Sequence, residues 1–256
     1  MLMPSNTMPN RKILVEVAAH SVEAALAAQA GGADRVELFS NHLEGGVTPS
    51  EGAIAVVRNH MCIDLHVMIR PRGGDFCYSE HELEAMHRDI SVAKRLGANG
   101  VVFGIVNPDG TVDVQQTREL VASARPLSIT FHRAFDRCRD LPEALLALIS
   151  CGVDCVLTSG GMPTAEGGIR DIATLVRIGG SQIRIMAGGG VRPQNVRKIV
   201  LQSGVIEIHA GVRSIVPDKM LFRNQAISSE SDFHSYERVV IQEADVRRLV
   251  DEARVL

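Results

Sequence analysis

One stretch near the amino end of the chain contains the unit that decides the fold. Residues 13–40 are ILVEVAAHSVEAALAAQAGGADRVELFS. The apolar run at 13–18 predicts a strand, the alanine-rich segment at 21–31 predicts a helix, and the apolar run at 35–40 predicts a second strand. A strand, a helix and another strand in this order are typical of a parallel βαβ unit.

The same alternation continues along the rest of the chain. Further apolar runs predict strands at 64–70, 100–106, 127–132, 154–158, 182–187 and 205–210. Helices are predicted between them, for example at 80–96 and 193–202, with Ser79 as a capping residue and Gly97 as a terminator. Eight strands that alternate with helices predict an α/β protein, a single (β/α)8 TIM barrel, whose functional residues lie at the carboxyl ends of the strands.

The length leaves room for one barrel and little else. The chain has 256 residues, and such a barrel needs roughly 250. Residues 1–12 contain Pro4 and Pro9 and no continuous apolar run, so we expect a disordered tail followed by the barrel at 13–256. A long polar loop is predicted at 217–243, before the last helix at 244–254, and a loop of that length is more often functional or a subunit contact than idle.

Composition and charge argue against several classes of partner. The net charge is −3 with both signs interspersed, so we expect no binding to nucleic acid or to an anionic membrane. No stretch approaches the ~18 apolar residues of a membrane-spanning helix. Five cysteines, an odd number, give no disulfide framework. We therefore expect a soluble, cytoplasmic protein.

Ionisable side chains alternate with apolar ones along the predicted strands. In a barrel strand every second residue faces the interior. This places six ionisable residues inside, near the functional end: Glu16, Glu37, His66, Arg70, His132 and His209. Burial costs several kcal/mol for each unpaired ion, so we predict that these six form a catalytic site. Arg184 and Glu207, nearer the other end, are predicted to form a structural ion pair.

Two kinds of chemistry are open to such a cluster. Paired carboxylates with nearby histidines can serve as general acid and base. The same groups could hold a borderline divalent metal ion through nitrogen and oxygen ligands. The spacing does not decide between them, because the residues come from separate strands.

Glycines follow the last two predicted barrel strands. They are Gly188, Gly189 and Gly190 after one strand and Gly211 after the next. Such glycines let backbone N–H groups approach an anion at the start of the following helix, and these loops are the usual phosphate site of the fold. The other explanation is that these glycines only allow a tight turn between a strand and the following helix. Because Arg70 could also orient a carboxylate or phosphate, we predict a small anionic ligand held by Arg70 and these glycines.

Several motifs resemble those of the CutC family, whose members are named copper homeostasis proteins. They are EGGVTPS at 44–50, RPRGGDFCYS at 70–79, TFHRAFD at 130–136, LTSG at 157–160, MAGGGVR at 186–192 and FRNQ at 222–225. The resemblance spans roughly residues 13–254. It implies a cytoplasmic (β/α)8 barrel that is often a homo-oligomer, a role in copper handling with copper(I) binding, and no established enzymatic reaction.

The chain departs from the family pattern at the positions proposed to bind copper. The resemblance places one cysteine at the end of the first strand and another at the end of the second, and here those positions are Ala18 and Phe39. Copper(I) selects soft thiolates, which neither residue supplies. Cys77, in a loop at the functional end, remains as a candidate metal ligand, although a lone cysteine is more often a small buried hydrophobe.

Two functions therefore stay open. One is a copper-binding barrel, which the family resemblance implies. The other is an enzyme for a small anionic, phosphorylated metabolite, in which the inward-facing Glu and His side chains transfer protons.

Overall fold

Eight parallel strands form a closed barrel in the computed structural model of the protein, which describes residues 12–222 and 236–255. Each strand pairs with the next along the chain, and the eighth pairs with the first. The strands are β1 Leu14–Ala19, β2 Arg35–Leu38, β3 Asp64–Met68, β4 Gly100–Phe103, β5 Ser128–Phe131, β6 Cys155–Thr158, β7 Arg184–Gly188 and β8 Glu207–Ala210. The predicted (β/α)8 barrel is confirmed.

Helices surround the barrel and bury its outer face. They are α1 Val22–Ala30, α2 Glu51–His60, α3 Glu80–Arg95, α4 Val114–Ala124, α5 Leu141–Cys151, α6 Ile169–Gly179, α7 Val196–Ser203 and α8 Glu243–Arg254. Outward-facing strand residues such as Val15, Val17 and Val36 have no exposed surface, because the helices cover them. The main apolar core therefore lies between the strands and the helices, and the side chains inside the barrel form a separate set.

Two predicted helix starts are confirmed by their caps. The Ser21 hydroxyl accepts a hydrogen bond from the N–H of Ala24 at the start of α1. Ser79 and Glu82 form a reciprocal capping box at the start of α3.

Helix α7 begins later than the sequence predicts, at Val196 instead of residue 193. The Asn195 side chain explains the delay. Its Oδ1 accepts from the N–H of Arg192, and its Nδ2 donates to the carbonyl of Gly190. These bonds hold residues 190–195 in a turn.

The predicted loop at 217–243 needs a correction, because part of it is a strand. Strand β10, Glu237–Ile241, pairs antiparallel with β9, Arg213–Pro217, in a small sheet outside the barrel. The apolar run in β10 supplies the strand pattern that its polar surroundings obscure. Residues 223–235 lie outside the described part, as does nearly all of the predicted tail at 1–12.

Within the described ranges, no helix combines the length and the apolar character that crossing a membrane requires.

We expect Gly31→Ala to lower the free energy of unfolding by about 1–3 kcal/mol, as overpacking does. A Cβ atom at Gly31 would lie 2.5 Å from Cβ of Val246 in α8, closer than packing allows. Gly52 is a matched control, because the nearest atom to its Cβ position is 4.0 Å away. Gly52→Ala should instead stabilise α2 by up to about 1 kcal/mol. Chemical denaturation of the two variants checks this, and equal stability would contradict the close approach of α1 and α8.

Candidate active site

A cavity of about 520 Å³ opens among the loops that follow the barrel strands. Four of the six predicted catalytic residues line its wall: Glu37, Arg70, His132 and His209. Arg133 and Asp136 also belong to the wall. The other two predicted residues, Glu16 and His66, are buried and lie outside the wall.

A network of ion pairs occupies the barrel interior away from the cavity. Arg35 is only 2% exposed; its Nε donates to Glu16, and its Nη2 donates to Glu207 at 2.8 Å. Glu207 also accepts from Arg184 at 2.8 Å, which confirms the predicted structural pair. Burial alone would raise the pKa of Glu16, but Arg35 and His209 hold it well below its ordinary value. Glu16 is therefore ionised and compensated.

Arg35 is one of the residues that the sequence analysis missed. It lies two positions before Glu37 on the same strand, so the alternation that placed Glu37 inside the barrel also places Arg35 there. The alternation that indicates an inward position for Arg35 was therefore visible in the sequence, with Arg35 at the first residue of β2.

A chain of side chains runs from this network to the cavity. Nδ1 of His209 lies 2.7 Å from Oε1 of Glu16, and its Nε2 lies 3.8 Å from Oε2 of Glu37. Burial would lower the pKa of His209, but Glu37 and Glu16 raise it, so this histidine favours the charged form. Basic and acidic side chains thus alternate in the order Arg35, Glu16, His209, Glu37.

Among these four side chains, Glu37 lines the cavity and also has an atom without a hydrogen-bond partner among the described residues. Its side chain is buried, and its Oε1 has no hydrogen-bond partner among the described residues. Burial raises the pKa of Glu37 to about 7. A carboxyl group that titrates near neutral pH is suited to act as a general base or acid.

His132 presents a neutral donor to the same cavity. It follows β5 and caps a short 3-10 helix, Arg133–Arg137, where its Nδ1 accepts from the N–H of Ala134 at 3.2 Å. The ring proton therefore resides on Nε2, which is buried and has no partner among the described residues. Burial and the neighbouring Arg70 lower the pKa of His132 to about 3, so the ring stays neutral.

His66 lies below the cavity, next to the ion network. Its Nδ1 is 4.0 Å from Glu16, and its ring packs against Gly100, where a Cβ atom would lie 2.5 Å from Nε2. Burial, with a contribution from Arg35, lowers the pKa of His66 to about 3. The geometry makes His66 a neutral packing neighbour of Glu16, away from the cavity.

Arg70 connects the loops after β2 and β3. Its Nη1 donates to the carbonyl oxygens of Glu44 and Gly46 at 2.7 and 2.8 Å, and its Nη2 donates to that of Gly74 at 2.9 Å. Its Nε is buried without a partner among the described residues. Most of the guanidinium therefore holds the loops, and the Nε edge remains for an anion.

Asp136 joins two of the sequence motifs and was not predicted as a site residue. Its carboxylate accepts from the N–H and the hydroxyl of Ser159 at 3.0 Å each, and from the N–H of Gly161 at 2.9 Å. Arg133 lies 3.6 Å away. The TFHRAFD and LTSG segments are visible in the sequence, but their contact arises only when the barrel forms.

The predicted anion-binding glycines, Gly188, Gly189, Gly190 and Gly211, do not line the cavity. A Cβ atom at Gly188 would lie 2.4 Å from Leu157, and Gly189 and Gly190 have φ of +103° and +71°. These positions require glycine for steric and backbone reasons. Nor do these glycines begin α7, which starts at Val196. Arg133, in the cavity wall, has its Cζ 3.9 Å from the Cβ position of Gly189.

The carboxylate and imidazole groups fit acid–base chemistry better than a metal ion. Glu16, Glu37 and His209 each offer a ligand atom within 4.8 Å of the others. However, Glu16 is already bonded to Arg35 and to His209. Only Glu37 and one ring nitrogen of His209 remain, fewer than the ligands that protein sites give a transition metal.

The soft ligands for copper(I) in the cavity wall are the thioethers of Met68 and Met162, without a thiol from the described residues. Ala18 and Phe39 are buried in an apolar cluster with Met68 and Val102. Cys77 is half-buried outside the main cavity wall, and burial raises the pKa of its thiol, which disfavours the thiolate. In the described part of the chain, no cysteine lines the cavity.

A closed (β/α)8 barrel with ionisable groups at the carboxyl ends of its strands defines the class of this protein. The CutC family model matches residues 13–214. The chain belongs to the CutC family.

Relatives of known sequence and structure agree with this assignment. A CutC family protein from Bacteroides fragilis is 44% identical over 244 residues, which cover 94% of this chain and 96% of the relative. One from Salmonella heidelberg is 42% identical over 238 residues, with coverage of 92% and 95%. The crystal structure of CutC from Streptococcus agalactiae, named for copper homeostasis, is 32% identical, with a TM-score of 0.74 and coverage of 77% of this chain and 97% of that chain.

We expect Glu37→Gln to leave the melting temperature unchanged near pH 5 and to raise it at pH 8. The pKa of Glu37 is about 7 in the folded protein and near 4.5 without the fold. The folded protein thus holds a proton that the unfolded chain releases, so this contribution to stability is lost as the pH rises from about 4.5 to 7. Glutamine does not ionise, so the variant does not lose this stability as the pH rises. Thermal melts across this pH range check it.

Glu16→Gln should behave in the opposite way, because it removes one of the two carboxylates that pair with Arg35 and the carboxylate bonded to His209. Breaking a buried ion pair costs about 3–5 kcal/mol, so we expect a large fall in melting temperature at both pH values. A fall in melting temperature of the same size for Glu37→Gln would mean that Glu37 stabilises the fold and is not a functional group.

Proposed function

We propose that this protein is an enzyme that acts on a small anionic metabolite by proton transfer, with Glu37 as the acid–base group. One observation carries the proposal: Glu37 lines the cavity, and its buried carboxyl group has an unpartnered oxygen and a pKa of about 7. An unsatisfied buried polar atom is costly, and catalytic sites are where such costs are tolerated.

The residues behind Glu37 serve it as positioning groups. His209 lies 3.8 Å from the Glu37 carboxylate and can exchange a proton with it. Glu16 accepts from His209 and holds its ring in place, as a buried carboxylate does for a catalytic histidine. Arg35 keeps Glu16 ionised.

Three arginines in the wall could bind an anionic substrate, and they share the wall with three acidic residues, Glu37, Glu44 and Asp136. Arg70, Arg133 and Arg137 all line the cavity. The Nε of Arg70 has no partner among the described residues, and Arg133 has only an ion pair of 3.6 Å with Asp136. A phosphate or carboxylate group would satisfy these guanidinium groups.

We expect inorganic phosphate to raise the melting temperature of the wild-type protein, because a ligand that binds only the folded state stabilises it. Arg133→Gln should remove most of this shift. Arg139→Gln is the matched control: Arg139 is similarly exposed, pairs with Asp109 and lies outside the cavity wall. Melts at increasing phosphate concentration check the prediction. No shift in the wild type, or equal shifts in both variants, would contradict an anion site in the cavity.

Copper binding is the second candidate, and the name carried by the Streptococcus agalactiae structure favours it. In this chain Cys77 adjoins Phe76 of the wall and Cys138 adjoins Arg137 of the wall. A single, half-buried thiol is a weak copper(I) site.

We expect copper(I) binding no tighter than that of an isolated cysteine. A competition titration against a copper(I) chelator measures it, with Cys77→Ser and Cys138→Ser as test variants. Weak binding that falls with Cys77→Ser fits the structure. Tight, stoichiometric binding that survives both substitutions would require a copper site elsewhere in the chain.

A further inference from the structure

Three cavity-lining residues, Glu37, Arg70 and His132, each have a buried polar atom without a partner among the described residues, and those of Glu37 and His132 are of opposite kinds. Oε1 of Glu37 is an acceptor, and Nε2 of His132 is a donor. Buried polar atoms are normally satisfied, so each unsatisfied one needs an explanation. A ligand that presents a hydrogen to the carboxylate and an oxygen to the imidazole would satisfy both.

The local structure keeps His132 in the donor form. The N–H of Ala134 occupies Nδ1, so the proton must lie on Nε2. The Phe76 ring, 4.9 Å away between centroids, packs against the imidazole. Because Arg70 lies close by, protonation of the ring is also unfavourable. The side chain is thus a fixed, neutral hydrogen-bond donor.

The same wall offers no amine, hydroxyl or thiol nucleophile among the described residues. Among the described residues it contains no lysine, serine, threonine or cysteine. A Schiff base or an acyl intermediate therefore has no nucleophile of the usual kinds there. What the wall does contain is a carboxyl base, a neutral imidazole donor and arginines.

We infer that the enzyme enolises a carbonyl compound that carries a phosphate or carboxylate group, with Glu37 as the base and His132 as the donor to the carbonyl oxygen. This rests on the proposed function and names its reaction class. A carboxylate paired with a neutral histidine is an established combination for proton abstraction next to a carbonyl group.

The step balances without a co-reactant. The Glu37 carboxylate takes the proton from the carbon beside the carbonyl, and the C–H electron pair forms a carbon–carbon double bond. The carbonyl π electrons move to the oxygen, whose negative charge accepts the hydrogen bond from Nε2 of His132. If protonated Glu37 returns the proton to the same carbon, the starting compound re-forms. If that carbon also carries a hydroxyl group, the hydroxyl proton moves to the former carbonyl oxygen, the new carbonyl group forms where the hydroxyl stood, and Glu37 protonates the former carbonyl carbon, which gives isomerisation.

Two probes of similar size test the inference. The carboxylate of 2-phosphoglycolate imitates an enolate, whereas glycerol 3-phosphate has the phosphate without that feature. Because enzymes bind mimics of the transition state at least about 100-fold more tightly than substrates, we expect a preference of that order for 2-phosphoglycolate in calorimetric titrations of the wild-type protein.

Three variants separate the role of His132 from a structural one. His132→Asn keeps an acceptor for the Ala134 N–H and removes the Nε2 donor, so the preference should vanish while the affinity for glycerol 3-phosphate changes less than about twofold. His132→Gln restores a donor near Nε2 and should recover part of the preference. His87→Gln is the control, since His87 bonds Ser123 outside the cavity.

The outcomes distinguish the two claims. If both probes bind the wild type equally, or if His132→Asn keeps the preference, enolisation is overturned and the anion site stands. If neither probe binds, the proposed function fails and the inference fails with it.

Discussion

The guanidinium group of Arg35 is the contact on which the rest of the site depends. It lies in the barrel interior and joins carboxylates from β1 and β8, Glu16 and Glu207, to its own strand β2. An unpaired charge at this depth would cost several kcal/mol, so the three side chains are tolerated only together. Because Arg35 compensates Glu16, Glu16 can in turn hold His209 beneath the cavity.

The barrel interior therefore contains two kinds of buried ionisable group. Arg35, Glu16, Glu207 and Arg184 are paired and stabilise the closed barrel. Those at the cavity, Glu37 and His132, are buried to a similar degree yet keep one atom each without a partner among the described residues. Natural sites commonly trade stability for chemistry in this way. Arg70 and Asp136 support the arrangement by tying the loops around the cavity to each other.

Much of the fold and part of the site could be predicted from the sequence, because both follow from local periodicity. Alternation along single strands placed Glu37, His132 and His209 inside the barrel, where the structure has them. The pairing of side chains from different strands could not be predicted, because it depends on closure of the barrel. Glu16 and His209 are 193 residues apart in sequence, and they are in contact only because β8 pairs with β1. The sequence therefore does not show which carboxylate is paired with an arginine and which keeps an oxygen without a partner. That depends on the three-dimensional structure.

Two expectations changed for related reasons. Arg70 was predicted to orient a carboxylate or phosphate, but three backbone carbonyls, which leave no sequence signal, accept hydrogen bonds from its Nη1 and Nη2. The glycines after β7 suggested a phosphate loop, yet Leu157 and the positive φ angles account for them. A glycine pattern alone does not separate close packing from ligand binding.

The most direct measurement is the pKa of the Glu37 carboxyl itself, followed by ¹³C NMR of protein labelled at the glutamate side-chain carboxyl carbons and assigned with Glu37→Gln. The predicted result is a titration centred near pH 7 for Glu37, while Glu16 remains ionised well below its ordinary range. A Glu37 titration near the ordinary value of 4.5 would contradict the assignment of Glu37 as a poised acid–base group in this cavity.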